Sequence, residues 1–146
     1  MTFRLPVVLI VLAGGCFTGG FTRRDEMMVA VREFNDGIRW GRIDQSAVHL
    51  PLDRRQPFAD LYGGLEGDLE VVDYDIQRID YDSSHEIADV RIDMSWSLKR
   101  RGIVERTVWQ QHWERQGGGW LLTRQARLKG SPLALVDEPA KAKKTP

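Results

Sequence analysis

Apolar and polar positions follow two different periods along the chain, and the change from one to the other divides the sequence into two halves. In the first half, apolar residues recur every three or four positions, at Met27, Val31, Phe34 and Ile38. Such spacing places side chains on one face of an amphipathic helix, which we predict over residues 24–40. We expect the polar residues of this segment on the opposite face, namely Arg32, Glu33, Asn35, Asp36 and Arg39.

Two shorter helices are predicted to follow the first one. Asp44 is typical of an N-cap for a segment over 45–50, which Pro51 then ends. Pro57 fits the first turn of another helix, which closes at the glycine pair 63–64. The first half of the chain is therefore predicted to be helical.

In the second half, apolar and polar residues alternate, as they do in strands with one buried face. The first strand, over 70–81, changes parity near Arg78, and a β-bulge there would explain the change. The next strand is the most regular, since every second residue over 88–98 is apolar. Two further strands are predicted over 104–115 and 120–128, and each follows a turn that contains glycine.

Strands joined by tight turns pair antiparallel, and the helices must then cover one face of the sheet. The predicted fold class is α+β, with amino-terminal helices packed on a curved four-stranded antiparallel sheet. Because long, bulged strands curl, we expect a cone with a hollow mouth. In the third strand, Trp109 and Trp113 share one parity and His112 has the other, so the alternation leaves the inward parity open.

The amino terminus has the pattern of an export signal. Arg4 precedes an apolar stretch over 5–13, which is too short to span a membrane as a helix. Residues 12–16 read Leu-Ala-Gly-Gly-Cys and resemble the lipobox of bacterial lipoproteins, although Ala13 stands where leucine is preferred. The resemblance implies a signal peptide over 1–15 and attachment of diacylglycerol and palmitate to Cys16. The alternative is an ordinary signal peptide with an unmodified thiol.

Acyl chains on Cys16 would hold the domain on a membrane without a spanning helix. The residue after the cysteine is Phe17 rather than aspartate. In this respect the sequence resembles the lipoproteins that diderm bacteria sort to the outer membrane. The resemblance implies a place in the bacterial cell envelope, on the outer membrane and facing the periplasm. We expect a tether over 16–23, one cone domain over 24–130 and a disordered tail over 131–146.

Composition narrows the classes of function. The chain has 146 residues, 42% of them hydrophobic, which is enough for one ordinary domain. Its 21 Lys and Arg residues balance 21 Asp and Glu residues, and this balance argues against a nucleic-acid binder. Cys16 is the one cysteine, so the domain can form neither a disulfide nor a thiolate metal site. The spacing of its His, Asp and Glu residues predicts no metal site, and we expect no cofactor.

The order of one long helix, short helices and four antiparallel strands resembles the nuclear transport factor two-like (cystatin-like α+β cone) superfamily. The resemblance lies in the opening helix followed by Gly-Arg-Ile-Asp at 41–44, and in the strand over 108–115 joined by a glycine turn to Trp-Leu-Leu at 120–122. The superfamily includes ketosteroid isomerase-like, dehydratase-like and polyketide cyclase-like enzymes, and also proteins that only bind ligands or pair with other domains. The resemblance therefore leaves the function open.

An enzyme of this fold would direct an acid–base residue into the cone, and His112 is the candidate. It lies between Trp109 and Trp113 in the sequence, with Gln110 and Tyr74 as potential companions. The alternative is that His112 is a hydrogen-bonded residue on the solvent face of the sheet.

The remaining titratable residues of the strands are expected on the surface. Asp89 and Asp93 alternate with core residues, so we expect them to point outward, where Arg106 on the next strand can pair with them. His49 and His85 follow or precede turn residues and are also predicted to be exposed.

Aromatic residues of the strands are the candidate lining of a pocket, with the alternative that they only fill the core. The candidate pocket residues are Tyr74, Trp96, Trp109, Gln110 and Trp113. The sequence thus predicts a lipid-anchored envelope protein whose domain binds a small apolar ligand or another envelope protein. The alternative is an isomerase- or dehydratase-like enzyme that uses His112 as acid–base. Both a monomer and a homodimer remain open.

Overall fold

The computed structural model describes residues 20–133, and within that range three helices precede four strands, as predicted. The elements are α1 (Arg23–Arg39), α2 (Ile43–Ala47), α3 (Leu52–Gly63), β1 (Leu69–Asp82), β2 (Ile87–Leu98), β3 (Val104–Gln116) and β4 (Gly119–Gly130). The predicted signal peptide, the lipid attachment at Cys16 and most of the predicted tail lie outside the described residues.

Helix α1 begins at a capping box and buries the predicted apolar face. The Asp25 backbone N–H donates to the Thr22 hydroxyl over 3.2 Å, and the Thr22 N–H donates to the Asp25 carboxylate over 2.9 Å. Gly37 lets α2 approach closely, since a Cβ at this position would collide with Ser46 Oγ. The prediction for this helix is confirmed to within one residue at each end.

The two short helices begin earlier than predicted. Asp44 lies inside the first turn of α2 rather than at its cap, because the helix already begins at Ile43. Helix α3 begins at Leu52, five residues before Pro57, which lies inside it. A proline at this position removes one backbone hydrogen bond. The packing of Phe58 on Phe34, with ring centroids 5.8 Å apart, holds α3 against α1 despite that loss.

The strands form one antiparallel sheet in the order β1-β2-β3-β4. The register of β1 against β2 shifts between Ile76 and Arg78, which confirms the predicted bulge. A second shift between Val71 and Asp73 was not predicted, and it turns Val71 rather than Val72 toward the core. Bulges increase the local twist and bend of a strand, so we expect both shifts to bend β1, which contacts α1.

The sheet's inner face is packed with side chains. The even-numbered residues of β2 face inward, as predicted, and on β3 the inward parity is that of Trp109 and Trp113. Trp96, Trp109 and Trp113 are each 2% exposed or less, and the ring of Trp113 meets Phe34 of α1 edge-on at 5.9 Å. Indoles therefore occupy the space between α1 and the centre of the sheet, where the sequence predicted a hollow.

The ordered domain continues past the predicted boundary at residue 130. Ser131 accepts a hydrogen bond of 2.6 Å from the Thr107 hydroxyl, and Leu133 is buried in the core. Leu133, which the sequence assigned to the tail, is instead part of the domain because the chain folds back over the end of β2.

Candidate functional site

His112 lies on the face of the sheet that points away from α1. Its parity is opposite to that of Trp113, and it stands directly across from Asp89 of β2. Its Nδ1 lies 2.8 Å from an Asp89 oxygen, and its Nε2 lies 3.4 Å from Glu114. His112 is therefore not in the cone interior, and the alternative interpretation, a hydrogen-bonded residue on the outer face, describes it.

Hydrogen bonds anchor the carboxylate of Glu114 beside this histidine. Burial alone would raise the pKa of Glu114, but hydrogen bonds from Gln116 and Thr123, and then the charge of His112, lower the pKa below its ordinary value. The Thr123 hydroxyl donates to Glu114 over 3.0 Å. Two carboxylates thus bracket His112 on an open sheet surface, which is an arrangement that stabilises a charged cluster.

The outward carboxylates of β2 differ in burial. Arg106 donates to both oxygens of Asp93, which confirms the predicted pairing of these two residues. Asp93 is buried, however, because Arg106 and the bulged Gln77, which donates over 2.6 Å, cover it. His49 also differs from its prediction: it is mostly buried and lies 2.9 Å from Glu33, whereas His85 is exposed as expected.

The predicted pocket residues do not come together at one site. Trp109 and Trp113 are core residues, and Gln110 lies on the outer face, opposite Arg91. Trp96 donates its indole N–H to Thr107 over 2.9 Å and shows only an edge to a surface cavity of about 350 Å³. Tyr74, in contrast, lines an open groove.

This groove runs between α1 and β1 and has a volume of about 460 Å³, within the usual range for small-ligand sites. We call it the α1–β1 groove. It is lined by four residues of each element: Met28, Arg32, Asp36 and Arg39 of α1, and Tyr74, Asp75, Ile76 and Ile79 of β1. Met28, Ile76 and Ile79 are partly buried and pack on the core, so they form an apolar floor. The polar groups of the lining are Arg32, Asp36, Arg39, Tyr74 and Asp75.

A hydrogen bond joins the two walls of the groove. The Tyr74 hydroxyl donates to Asp36 Oδ1 over 2.8 Å. Burial of Tyr74, and then the hydrogen bond and negative charge of Asp36, raise the pKa of Tyr74 far above its ordinary value. Tyr74 is therefore a neutral hydrogen-bond donor over the physiological range, and it holds Asp36 toward β1.

Arg39 fixes α1 to the unpredicted bulge of β1. Its guanidinium donates to Asp73 over 2.7 Å and to the carbonyl of Val72, the extra residue of the bulge, over 3.1 Å. The same guanidinium carbon lies 4.9 Å from the ring centre of Trp40. Arg39 therefore joins the two elements that form the walls of the groove, and it also contributes to the lining.

Arg32 and Asp36 carry opposite charges one helical turn apart, yet they do not form an ion pair with each other or with any other side chain of residues 20–133. The carboxylate of Asp36 is directed to Tyr74, and the exposed guanidinium of Arg32 contacts no carboxylate in that range. Residues 4 apart on a helix can pair when their side chains are free to do so. The groove therefore offers a cation and an anion side by side.

A second cavity of about 460 Å³ lies between the turn after α1 and helix α3. Its lining includes Arg42, Asp44, Tyr62 and Glu66. Burial, and then the charge of Glu66, raise the pKa of Tyr62. The lining carries two acidic groups, Asp44 and Glu66, against one basic group, Arg42, so its charges are less evenly balanced than those of the α1–β1 groove.

The sequence missed Arg32 and Asp36 because both belong to the polar face of an amphipathic helix, where charged residues are ordinary. It also placed Asn35 on that face, whereas Asn35 is completely buried. The one available signal was Tyr74, which the sequence put among the candidate pocket residues as an aromatic residue of a predicted strand.

Residues 20–133 show neither a metal-binding cluster nor a helix that could span a membrane. Residues 20–133 contain no group of three or more His, Cys, Asp or Glu residues arranged to hold a metal ion. Within the same range, none of the helices has the length and apolar character needed to cross a membrane.

Comparisons with known proteins bear on the fold. No sequence model of a protein family matches the chain, and no curated protein matches it. A solved structure, the ketosteroid isomerase-like protein from Erwinia carotovora atroseptica SCRI1043, matches with a TM-score of 0.55 and 14% sequence identity. The match covers 71% of this chain and 95% of that chain. The two proteins share the α+β cone fold, and the likeness is one of fold alone.

Proposed function

We propose that this protein is a lipoprotein of the bacterial cell envelope whose cone domain binds a small ligand in the α1–β1 groove and performs no catalysis. The observation that carries the binding part is the contrast between the packed inner face and the open groove. Trp109 and Trp113 are at most 2% exposed, whereas the groove has about 460 Å³ of open volume. A ligand can therefore enter the groove without displacing the core.

The chemistry of the groove supports binding rather than turnover. A general base must lose and regain a proton near neutral pH. Tyr74 holds its proton well beyond that range, because burial and the neighbouring Asp36 raise its pKa. It can position a ligand or a carboxylate, but it does not act as an acid–base group at neutral pH.

The alternative function, an isomerase- or dehydratase-like enzyme with His112 as acid–base, has one supporting feature. His112 and Asp89 are 2.8 Å apart, as in many histidine–carboxylate pairs that orient a base. The pair lies on the outer face of the sheet, away from the α1–β1 groove, and Glu114 occupies the other ring nitrogen at 3.4 Å. Binding without catalysis is therefore the better-supported function.

The lipid anchor rests on the sequence. Cys16 precedes the start of α1 by seven residues. A chain of that length spans at most about 25 Å when fully extended. An acylated Cys16 would hold the domain close to the membrane surface, on the outer membrane and facing the periplasm.

The anchor is tested in a diderm bacterium that expresses the full chain. We expect the wild-type protein to incorporate labelled palmitate and to sediment with outer-membrane vesicles, and we expect Cys16→Ser to lose both properties. Ala13→Leu is the matched control, because it brings the lipobox closer to its preferred form and should keep both. Palmitate incorporation that is unchanged in Cys16→Ser would refute the anchor.

The binding part is tested by native mass spectrometry of the purified full-length protein. We expect a bound small molecule whose loss accompanies Tyr74→Ala, while Phe21→Ala, an exposed aromatic control outside the groove, retains it. A ligand retained by Tyr74→Ala at the wild-type level would place the binding site elsewhere.

A further inference from the structure

The polar groups of the α1–β1 groove identify a class of ligand. We propose that the groove binds a zwitterionic α-amino acid with a branched apolar side chain, with the ligand's ammonium on Asp36 and its carboxylate on Arg32. This inference rests on the proposed function, because it assumes that the groove is the binding site.

The groove contains two charged side chains with free hydrogen-bonding groups. Asp36 uses Oδ1 to accept from Tyr74, and its Oδ2 accepts no hydrogen bond from residues 20–133. Arg32 forms no hydrogen bond or ion pair with those residues either. A ligand that carries an ammonium and a carboxylate on one carbon can satisfy both groups at once. Hydrogen bonds between ionised partners are about twice as strong as those between neutral ones.

The balance of charge separates a zwitterion from a simple anion or cation. A fatty acid would pair with Arg32 but would bring its carboxylate near the negative Asp36, and an alkylamine would meet the reverse conflict. Repulsion between a charged ligand and a groove residue of the same charge weakens the binding of that ligand. Two other charged residues line the groove, Arg39 and Asp75, and because their charges are opposite the lining carries two basic and two acidic groups in all. Arg39 is also paired with Asp73 at 2.7 Å, and Asp75 lines a neighbouring cavity together with Arg106.

The floor of the groove accounts for the apolar side chain. Met28, Ile76 and Ile79 line it, and they already pack on the core, so an aliphatic group laid on them would leave water without disturbing the fold. The Tyr74–Asp36 hydrogen bond and the Arg39 contacts hold both walls in place before the ligand arrives. A site that is already ordered loses less entropy when it binds.

The test measures the affinities of three probes for the purified full-length protein by isothermal titration calorimetry. The probes are L-leucine, isoamylamine, which lacks the carboxylate, and 4-methylpentanoate, which lacks the ammonium. We expect L-leucine to bind at least tenfold more tightly than either analogue. Equal affinities for the three probes, or no heat with L-leucine at millimolar concentration, would overturn the assignment.

Variants of the groove assign each charge. Asp36→Asn should weaken L-leucine at least tenfold and leave 4-methylpentanoate unaffected or tighter, whereas Arg32→Gln should weaken L-leucine and spare isoamylamine. Arg42→Gln, which lies in the lining of the second cavity, is the matched control and should change nothing. L-leucine affinity that is reduced by Arg42→Gln but not by Arg32→Gln would place the amino acid in the second cavity.

Two failures are distinguishable. If L-leucine does not bind but the co-purified ligand is lost with Tyr74→Ala, the ligand class is wrong and the proposed binding site stands. If the co-purified ligand is retained by Tyr74→Ala, the proposed binding site itself fails.

Discussion

Asn35 and Asp36 are neighbours on α1, and they face two different environments. Asn35 is completely buried and donates to the Val31 carbonyl over 2.7 Å. It also exchanges hydrogen bonds with Gln111, whose amide in turn donates to Gln125 over 2.9 Å. Asp36 accepts one hydrogen bond, from Tyr74, and lines an open groove. One side of the helix, the closed side, has a polar network whose members bond to each other. The other side, the open side, has a polar cluster that can accept or donate further hydrogen bonds.

The Asn35 network and the Asp36 cluster are suited to different tasks, the first to fixing the fold and the second to contacting a ligand. A buried amide network fixes one arrangement of the core, because any member that loses its partner is costly to leave unpaired. A half-exposed cluster has water as an alternative partner, so a ligand can replace that water at little cost. We therefore expect substitutions on the closed side to change stability and substitutions on the open side to change binding.

The largest effect is expected from the closed side. Trp113→Ala removes a completely buried indole and should lower the free energy of unfolding by about 3–5 kcal/mol. Urea denaturation at neutral pH measures this change. Trp40→Ala is the matched control, since Trp40 is 63% exposed, and it should cost about 0.5 kcal/mol. Comparable losses in the two variants would show that the interior is not packed as described.

A smaller effect is expected from the amide network. Gln111→Met keeps most of the side-chain volume but leaves Asn35 and Gln125 without their shared partner. We expect a loss of about 1–3 kcal/mol in the free energy of unfolding, measured in the same way. Gln110→Met, the adjacent residue on the outer face, should have a much weaker effect. A Gln111→Met protein as stable as wild type would mean that the network is dispensable.

Tyr74→Phe breaks the groove's own hydrogen bond, and the expected loss of stability is about 1 kcal/mol at neutral pH. Because the pKa of Tyr74 is raised by folding, its stabilisation is fully present below the ordinary tyrosine pKa of about 10 and is lost as pH rises above that value. Phenolate absorbance near 295 nm should lose its latest-titrating component in the variant. An unchanged titration curve would show that Tyr74 is not the shielded phenol.

The outer face should show the smallest effect on binding. His112→Gln removes a residue that lies between Asp89 and Glu114, away from the groove. We expect the affinity for L-leucine to change by less than about twofold. Dissolved salt screens the charges around His112, so they have little effect on a ligand in the groove. Calorimetry measures this, with Asp36→Asn as the contrasting variant. A tenfold loss of affinity in His112→Gln would favour the enzyme-like alternative.

Periodicity was sufficient to predict the elements whose two faces differ in polarity. The alternation of β2 fixed its inward residues, and the spacing of apolar residues in α1 fixed its buried stripe. Periodicity missed the start of α3, although not its end at the glycine pair 63–64, because Leu52 at its start is 80% exposed and its N-cap makes no side-chain hydrogen bond. The start of a helix is hard to predict from the sequence when the helix has neither a capping residue nor a buried apolar first turn.

The candidate site was less predictable than the fold. Tyr74 was among the predicted pocket residues because it is an aromatic residue of a predicted strand. Asp36 was not found, since its role depends on which residue of β1 faces it, and the bulge after Val71 shifts that register. Asn35 was assigned to solvent because it is polar, although its partners Gln111 and Gln125 are distant in sequence. Contacts between elements, rather than patterns within one element, define both polar clusters.

The most direct test of the contrast between the packed interior and the open groove is an NMR titration of the full-length protein with L-leucine. We predict saturable shifts in the backbone amides of Arg32, Asp36, Tyr74 and Ile76, with the indole N–H signals of Trp109 and Trp113 unchanged. Shifts of those two indole signals, with the groove amides unaffected, would contradict the account and place the ligand inside the cone.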